Sequence, residues 1–407
     1  MPGQRSILHM DMDAYFASLE AQACPSLKGL PLVVGAMPGS RGVVASASYE
    51  ARAFGIRAGM PAAVARRLCP EAQFVPCHPG LYIDTSRRIL RHLLSFTPQV
   101  EMFSIDEAFL EVTDRIGSTG NSPESPAWQK LEDLARETAA SIEQAFGLSC
   151  SVGAGPNKLI AKMAANVKKP RGVMVMGEES FRRHFWPKPV DDLYGVGAKI
   201  ASSLMIFGIE TIGDLAQTPP DLLHRHFGVY GDALASMAWG RDDAPVVASH
   251  EAAPAKSLGH EHTVGRDLET LDEGLSLVLA LSDRVGEDLR REGYAGRRIA
   301  IRIRYSDFST LTRQRVIASP TQETREIFRV ARDLFRENYC GGGVRLLGVA
   351  VGELIVTQGR EQLKLFPEDR RYREWLEAMD TIRDLYGPRS ILPAGAMRQP
   401  PRNQRSG

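Results

Sequence analysis

Two short acidic segments lie at the ends of apolar, β-capable stretches, and they constrain the fold more than any other feature of the sequence. The first is Asp11, which directly follows the apolar stretch 6–10. The second is Asp106 with Glu107, in the predicted turn of a hairpin over 100–112. Carboxylates at the ends of buried strands are costly unless they meet a metal ion or hydrogen-bond donors. We therefore expect the two strands to be neighbours and these carboxylates to share a metal site.

Carboxylates from separate elements are the ligands that a pair of Mg²⁺ ions needs, so two Mg²⁺ ions per active site are the predicted cofactor. The alternative is that the acidic residues cap turns. We adopt that interpretation for Asp13, which precedes a predicted helix over 14–23 and is a suitable N-cap. For Asp106 the capping alternative stays open.

Composition excludes several classes of protein. The 407 residues are 43% hydrophobic and 24% charged, which is not typical of a disordered, collagenous or coiled-coil protein. The length indicates about two to four domains. No run approaches the roughly 20 apolar residues of a membrane span, so we expect no membrane segment. The five cysteines form no C-x-x-C pair, which favours free thiols in the cytoplasm.

Charge is unevenly distributed along the chain. The net charge of +1, taken alone, argues against a nucleic-acid partner. However, residues 156–171 carry five basic residues and no acid, and residues 294–317 carry six arginines against Asp307 alone. This pattern favours local binding of a polyanion. Solvated helix charges are the alternative for Lys158 and Lys162, and we interpret the Arg/Glu mixture at 287–292 as solvated surface.

The order of predicted elements favours an α+β, multidomain fold. Strands and helices alternate without the regular period of a doubly wound sheet, which favours a sheet with one helical face. After a linker at 242–254, residues 255–357 read β-α-β-β-α-β, a self-contained domain. The polar residues 367–407 include one weakly predicted helix, at 372–385, and receive no role.

The residues after Asp11 predict a nucleotide site. If a helix begins near Ala14, its free backbone N–H groups face the metal site and can bind a triphosphate. Phe16 then lies in the first turn, beside the sugar. Ordinary core packing is the alternative for Tyr15 and Phe16.

Four segments resemble, in order and spacing, the signature segments of Y-family DNA polymerases, in their bacterial DinB branch. They are MDMDAYFASLE, ASYEARAFGIRAGMP, SIDEAFLEVTD and GAGPNKLIAKMAANVKKPRG. The resemblance covers about residues 5–366 and implies a right-hand polymerase. The implied domains are a palm (1–22 and 81–177), fingers (23–80), a thumb (178–241), a linker (242–254), a little finger (255–357) and a tail (358–407).

The resemblance also implies roles at the metal site. Asp11 and Asp106 match the metal-binding aspartates, and the carbonyl of Met12 matches a further ligand. Glu107 matches the family's catalytic glutamate beside the metal ion at the primer end.

Other residues match the family's nucleotide contacts. Phe16, next to Tyr15, matches the steric gate that occupies the space of a ribose 2′-hydroxyl. Tyr49 and Arg52 are three positions apart on one helix face and match the residues that contact the incoming phosphates. Lys169 matches the palm lysine that joins them. Arginine suits this role because its fork pairs phosphate oxygens bidentately.

Two further segments predict contacts to DNA. Residues 193–200 resemble the hairpin of a helix-hairpin-helix, in which Gly195 and Gly197, followed by Lys199, let backbone amides approach a phosphate; a simple helix C-cap is the alternative. Residues 297–315 are predicted to form an arginine-rich hairpin. Strand alternation places alternate arginines of its first strand on a single face, where they can contact duplex phosphates. The predicted contacts there are Arg298, Arg302, Arg304 and, on the next strand, Arg313.

The segment 362–366 resembles the peptide by which bacterial polymerases bind the sliding clamp. Leucine and phenylalanine in a polar tail have few structural uses, which favours a partner's pocket. The predicted contacts are Gln362, Leu363, Leu365 and Phe366. The alternative is that this segment forms the last strand of the preceding domain.

The implied function is template-directed, error-prone translesion DNA synthesis by two-metal phosphoryl transfer, without proofreading. The implied partners of this cytoplasmic monomer are primer-template DNA, deoxynucleotides and the clamp, but no membrane. A non-catalytic mutagenesis accessory that binds DNA and the clamp is one alternative, disfavoured by the retained carboxylates. A nucleotidyl cyclase with a similar palm is another, which leaves the hairpins and clamp segment without a purpose.

Overall fold

The structure is a computed structural model that describes residues 5–35, 37–117, 126–251, 253–357, 367–388 and 390–398. Contacts between residues divide the chain into two compact units, residues 1–252 and residues 253–407. Each unit is described here by itself. The finer boundaries of palm, fingers, thumb and little finger stay predictions.

The first unit alternates short strands with helices. No helix among the described residues combines the length and the hydropathy needed to cross a membrane. In chain order, the elements are β1 (Ile7–Met12), α1 (Tyr15–Ala23), β2 (Leu32–Gly35), β3 (Val44–Ala47), α2 (Tyr49–Ala53), α3 (Ala62–Leu68), β4 (Gln73–Val75), α4 (Pro79–Leu93), β5 (Val100–Met102), β6 (Glu107–Glu111), α5 (Thr113–Ile116), α6 (Pro126–Phe146), β7 (Cys150–Gly155), α7 (Lys158–Ala165), β8 (Val173–Val175), α8 (Glu178–Phe185), α9 (Ala198–Met205), α10 (Ile212–Gln217), α11 (Pro220–Phe227) and α12 (Val229–Ala238).

The centre of this unit is a five-stranded sheet in the order β5-β6-β1-β7-β8. Strand β1 is antiparallel to both of its neighbours, and all six of its residues are buried. Ladder pairing continues to Asp11 on the β6 side and to Met12 on the β7 side, so the strand extends to Met12. Asp11 therefore lies inside the strand, and the prediction that it follows the strand is wrong by two residues.

Two smaller assemblies complete the first unit. Strands β3, β2 and β4 form a three-stranded sheet, in that order, with a core that includes Val33, Val44 and Ile56. Helices α8 to α12 enclose a separate apolar cluster that includes Phe181 and Leu204.

The second unit confirms the predicted β-α-β-β-α-β order. Its single sheet is antiparallel throughout, in the order β11-β10-β12-β9. The elements are β9 (Ser257–Leu268), α13 (Leu271–Arg291), β10 (Tyr294–Tyr305), β11 (Thr310–Thr321), α14 (Thr324–Asn338), β12 (Val344–Val356) and α15 (Pro367–Tyr386).

Helix α13 shows why the sequence folds in this way. It begins with a capping box, in which the Thr270 side chain accepts from the Glu273 amide and Glu273 reaches back to Thr270. Its apolar residues recur every three or four positions, so they form one stripe that packs into the core of this unit. The buried members of the stripe are Leu277, Val278, Leu281, Val285 and Leu289.

The interpretation of 287–292 as solvated surface is wrong, because α15 packs against that stretch of α13. Glu287 is only 6% exposed, and the wholly buried Arg383 of α15 pairs with it at 3.3 Å and with Asp283 at 2.5 Å. Arg290 also pairs with an aspartate of α15, at 2.6 Å. Sequence patterns gave no sign that a weakly predicted tail helix supplies these partners.

Replacing Arg383 with Ala should lower the free energy of unfolding of the second unit by about 3 to 5 kcal/mol, because it removes the partner of buried carboxylates. Denaturation in urea, followed by circular dichroism, measures this loss. The control is Arg329→Ala, which removes an exposed ion pair with Glu326 and should cost less than about 1 kcal/mol. Equal losses in the two variants would contradict this account of the tail helix.

Candidate active site

The sheet register places the two acidic segments side by side. Asp11 on β1 is the register partner of Glu107, the first residue of β6. The backbone N–H of Met12 donates to the carbonyl of Asp106 at 3.0 Å, which fixes the turn before β6 against the end of β1. The two acidic segments therefore lie on neighbouring strands, as expected from the sequence.

Asp11 is a buried carboxylate with a cationic partner. It is 6% exposed, and Lys169 Nζ lies 2.5 Å from its Oδ2. The pKa of Asp11 is raised to about 6, because burial, with smaller contributions from the nearby Glu107 and Asp106, outweighs the opposing effect of Lys169. An additional positive charge beside Asp11 would therefore lower its pKa and stabilise its ionised form.

Glu107 is held by a second lysine. Lys162 on α7 pairs with its Oε2, and Nε2 of the buried His9 lies 3.6 Å from the same oxygen. Burial opposes ionisation of Glu107, but His9 and Lys162 outweigh it and lower its pKa to about 2. Glu107 is therefore ionised at neutral pH.

The third carboxylate is less enclosed. Asp106 is partly exposed and accepts a hydrogen bond from Ser104 Oγ at 2.6 Å. Across the described residues, no three His, Cys, Asp or Glu side chains converge closely enough to hold an ion. The oxygen donors are nevertheless of the type that Mg²⁺ prefers, and Lys169 and Lys162 balance the charge of two of them.

A cavity of about 230 Å³ opens beside these carboxylates. It combines acidic, basic and aromatic side chains, which suits a ligand with several anionic groups and a planar part. All nine residues predicted for metal and nucleotide binding line it. They are Asp11, Met12, Tyr15, Phe16, Tyr49, Arg52, Asp106, Glu107 and Lys169.

Asp13 does not cap α1, so that prediction is wrong. The helix begins at Tyr15 after Ala14, which adopts a left-handed conformation with φ of 46° and receives no side-chain capping bond. The carboxylate of Asp13 instead accepts from Tyr49 Oη at 3.3 Å, Ser151 Oγ at 2.9 Å and the Arg171 amide at 2.9 Å. These donors are distant in sequence, so local pattern analysis missed them.

Phe16 packs face to face with an aromatic residue that sequence analysis missed. The ring centroids of Phe16 and Tyr82 are 4.2 Å apart, with an angle of 10° between the planes. Tyr15 is buried, as its core-packing interpretation expects, and its hydroxyl donates to the Tyr82 carbonyl at 2.8 Å. Tyr82 lies on α4, far from Phe16 in sequence, so local sequence patterns give no sign of this contact.

Tyr49 and Arg52 lie together at the start of α2, as their spacing predicts. Ser48 caps the helix by accepting from the Ala51 amide at 3.3 Å. The Arg52 guanidinium lies 4.6 Å from the centre of the Tyr49 ring, and its Nε donates to the Ala47 carbonyl at 3.0 Å. These contacts keep both side chains at the cavity.

Lys158 and Lys162 are not solvated helix charges. Lys162 is 9% exposed, and besides Glu107 its ammonium contacts the rings of Phe103 and Tyr194 at 4.8 and 5.4 Å. Lys158 pairs with Glu101 at 2.7 Å. Helical periodicity alone could not locate these partners, which lie on other elements.

The predicted hairpin at 193–200 forms a tight turn before α9. Gly195 has a φ of 90°, which favours glycine, and its carbonyl accepts from Tyr230 Oη at 2.7 Å. Gly197 is the N-cap residue of α9, and Lys199 is exposed in the first turn. The backbone is therefore accessible where the phosphate contact is predicted.

The predicted arginines of the second unit lie on its sheet. Arg298, Arg302 and Arg304 share the face of β10 opposite to its buried isoleucines, as strand alternation predicts. Arg313 lies on β11 and donates to Asn338 at 3.1 Å.

Two of these arginines have carboxylate partners on other strands of the sheet, one on β12 and one on β9. Arg298 pairs with Glu353 at 2.6 Å, and Arg302 pairs with Glu261 at 2.5 Å. All four side chains are substantially exposed, so each ion pair contributes little to stability and can be exchanged for another anion.

The segment predicted to bind the clamp lies outside the described residues, between the end of β12 and the start of α15. Its contacts through Gln362, Leu363, Leu365 and Phe366 stay predictions, as does its alternative as a closing strand.

Comparison with known proteins covers most of the chain. The model of the impB/mucB/samB family matches residues 10–166, and the model of that family's C-terminal domain matches residues 255–365. The chain is 36% identical to the DNA polymerase IV of Desulfatibacillum aliphaticivorans over 392 residues, 95% of this chain and 96% of the relative. It is 38% identical to the DNA polymerase IV of Pelotomaculum thermopropionicum over 402 residues, 97% of each.

Solved structures give a similar result. A Y-family DNA polymerase chimera superposes with a TM-score of 0.75 at 26% identity, over 86% of this chain and 99% of the chimera. DinB from Sulfolobus solfataricus superposes with a TM-score of 0.57 at 27% identity, over the same shares.

The fold, the site and these matches define a Y-family DNA polymerase, an enzyme that binds DNA and deoxynucleotides and copies a DNA template. Within that family, the chain belongs to the DNA polymerase IV branch.

The buried His9 should make stability depend on pH. Burial lowers the pKa of His9 from 6.5 to about 4. Between about pH 6.5 and pH 4, His9 is therefore protonated in the unfolded chain but remains neutral in the folded chain. The free energy of unfolding consequently falls as the pH falls towards 4. We expect this group alone to reduce the free energy of unfolding of the first unit by about 2 kcal/mol between about pH 7 and pH 5.

Urea denaturation of the wild type and of His9→Phe at both pH values tests this prediction. The variant keeps an aromatic ring beside Phe109 but has no group to titrate. Its pH dependence should be smaller by the stated amount, and an identical dependence in the two proteins would contradict the assignment.

Proposed function

We propose that this DNA polymerase is a translesion enzyme of low fidelity, which extends primers by two-metal phosphoryl transfer and does not proofread. The observation that carries the two-metal part is the register pair of Asp11 with Glu107, beside a cavity that cationic side chains also line. Low fidelity and the lack of proofreading are supported by the resemblance to the family.

Three carboxylates and one carbonyl are the groups proposed to hold two Mg²⁺ ions. When bound, the ions activate the primer 3′-hydroxyl and neutralise the pyrophosphate leaving group. The lysines that pair with two of the carboxylates limit their mutual repulsion. The proposed ligands are Asp11, Asp106, Glu107 and the Met12 carbonyl.

The other cavity residues bind and orient the nucleotide. Arg52 presents a planar fork for phosphate oxygens, and the Lys169 ammonium is a further donor. Tyr49, whose hydroxyl donates to Asp13, contacts the phosphates beside Arg52. Phe16 occupies the position of a ribose 2′-hydroxyl, and the stacked ring of Tyr82 restricts its movement. Sugar selection therefore depends on shape.

Contacts to DNA are proposed on both units. In the first unit, the turn at Gly195 and Gly197, with Lys199, offers backbone amides and a cation to a phosphate. In the second unit, exposed arginines contact duplex phosphates, which replace the carboxylate partners of Arg298 and Arg302. The proposed contacts there are Arg298, Arg302, Arg304 and Arg313.

The remaining proposals rest on the sequence. The segment 362–366 binds the sliding clamp through its leucines and Phe366, with Gln362 as a polar anchor. The polymerase acts as a monomer in the cytoplasm.

Primer extension with Mg²⁺ on a primed template tests the proposed chemistry. Glu107→Ala and Asp106→Ala should each reduce nucleotide insertion by at least about 10³-fold, because charge stabilisation at the reacting phosphate is lost, with primer-template binding within several-fold of wild type. The matched control is Glu111→Ala, at the far end of β6, which should insert normally. Near-normal insertion by Glu107→Ala would refute the assignment.

Phe16→Ala should raise ribonucleotide insertion by at least about tenfold, because the gate excludes the 2′-hydroxyl by shape. Deoxynucleotide insertion by the same variant serves as the control and should change little. Single-nucleotide insertion kinetics with both sugars measure the ratio. Unchanged discrimination would show that Phe16 serves core packing only.

Leu365→Ala combined with Phe366→Ala should abolish stimulation by loaded clamp while leaving insertion on short naked primers intact, because tethering raises local concentration without altering chemistry. The control is Lys364→Ala, because Lys364 lies in the same segment but supplies no apolar side chain to the predicted contact. This variant should still be stimulated by loaded clamp. A double variant that responds fully to the clamp would place the docking site elsewhere.

A further inference from the structure

Asp13 is a buried carboxylate that the proposed chemistry does not use. Asp13 is 3% exposed. Its carboxylate accepts hydrogen bonds from three neutral donors, which are two hydroxyls and one backbone amide. Placing a carboxylate in such surroundings costs several kcal/mol unless its oxygens are well satisfied. Three donors satisfy these oxygens, and none of them belongs to the helix that follows, so the side chain has a role other than capping α1.

The donors to Asp13 come from three separate elements. Tyr49 is the first residue of α2, Ser151 lies on β7, and Arg171 lies in the turn between α7 and β8. Two of these elements carry proposed phosphate contacts, since Tyr49 is one itself and Arg171 follows Lys169 by two positions. The side chain of Asp13, which directly follows β1, thus links the start of α2 and the turn before β8 to the end of β1.

We propose that Asp13 is a positioning residue that fixes Tyr49 and the Lys169 turn relative to the catalytic strand, so that the triphosphate site is formed before the nucleotide arrives. The inference rests on the proposed function, in which Tyr49 and Lys169 contact the phosphates. A site formed in advance avoids the entropic cost of ordering these groups during binding.

The arrangement of atoms requires a carboxylate. Oδ1 accepts from the hydroxyls of Tyr49 and Ser151, while Oδ2 accepts from the Arg171 amide. An asparagine at this position would have to turn its NH₂ group towards one of these sets of donors. Burial and the Asp13 carboxylate also raise the pKa of Tyr49 to about 12, so its hydroxyl stays protonated and can donate.

Asp13→Asn is the direct test, in single-nucleotide insertion on a primed template with Mg²⁺. The concentration of deoxynucleotide at half-saturation should rise about tenfold, as expected for a lost hydrogen bond to a charged group, while the maximum rate falls by less than about threefold. A loss confined to the maximum rate would overturn the proposal.

Two further variants separate positioning from general support of the fold. Ser151→Ala removes a donor to Asp13 that touches no proposed phosphate contact, and its half-saturation should stay within about twofold of wild type. Tyr49→Phe keeps the ring but removes the hydroxyl, and it should raise half-saturation. Combining it with Asp13→Asn should then give less than the product of the separate effects, because both changes break one interaction.

The outcomes are distinct. An effect of Ser151→Ala as large as that of Asp13→Asn, or fully multiplicative effects of Asp13→Asn and Tyr49→Phe, would overturn the positioning role. If Asp13→Asn lacks a cooperative thermal transition, Tyr49→Phe decides, and an unchanged half-saturation in that variant overturns the proposal. Failure of the wild type to insert any nucleotide would instead refute the proposed function.

Discussion

The structure of the catalytic unit depends on the antiparallel pairing of β1 with β6. This pairing is buried and is supported by β7 on the other side of β1, so its register cannot slip without turning apolar side chains away from the core. Because the register is fixed, Asp11 and Glu107 meet as partners. The energy that holds the sheet together therefore also holds two like charges side by side.

Two lysines make that juxtaposition tolerable. Lys169 and Lys162 reach the site from different segments and pair with Asp11 and Glu107. The effect on the two acids differs, since the pKa of Asp11 is raised and that of Glu107 is lowered. Burial dominates for the first, whereas the neighbouring His9 and Lys162 dominate for the second.

Sequence patterns predicted the fold class, the element order of the second unit and nine of the thirteen residues that line the cavity, because these follow from periodicity and from ordered motifs. They did not predict that Tyr82 stacks on Phe16. Nor did they predict the ion pairs of Lys162 with Glu107 and of Arg383 with Asp283. Each of these contacts joins elements far apart in sequence, and only packing brings them together. Asp13 shows the same limit. Local spacing predicted a helix N-cap, whereas both of its carboxylate oxygens accept hydrogen bonds from residues distant in sequence.

The Arg298–Glu353 and Arg302–Glu261 pairs have a consequence for the proposed contacts to DNA phosphates. A sheet face with unpaired arginines would bind any polyanion tightly and release it slowly. With carboxylates already in place, a phosphate bound as proposed must compete with Glu353 and Glu261 for the same guanidinium groups, so it is exchanged for them on release and dissociates faster than from unpaired arginines.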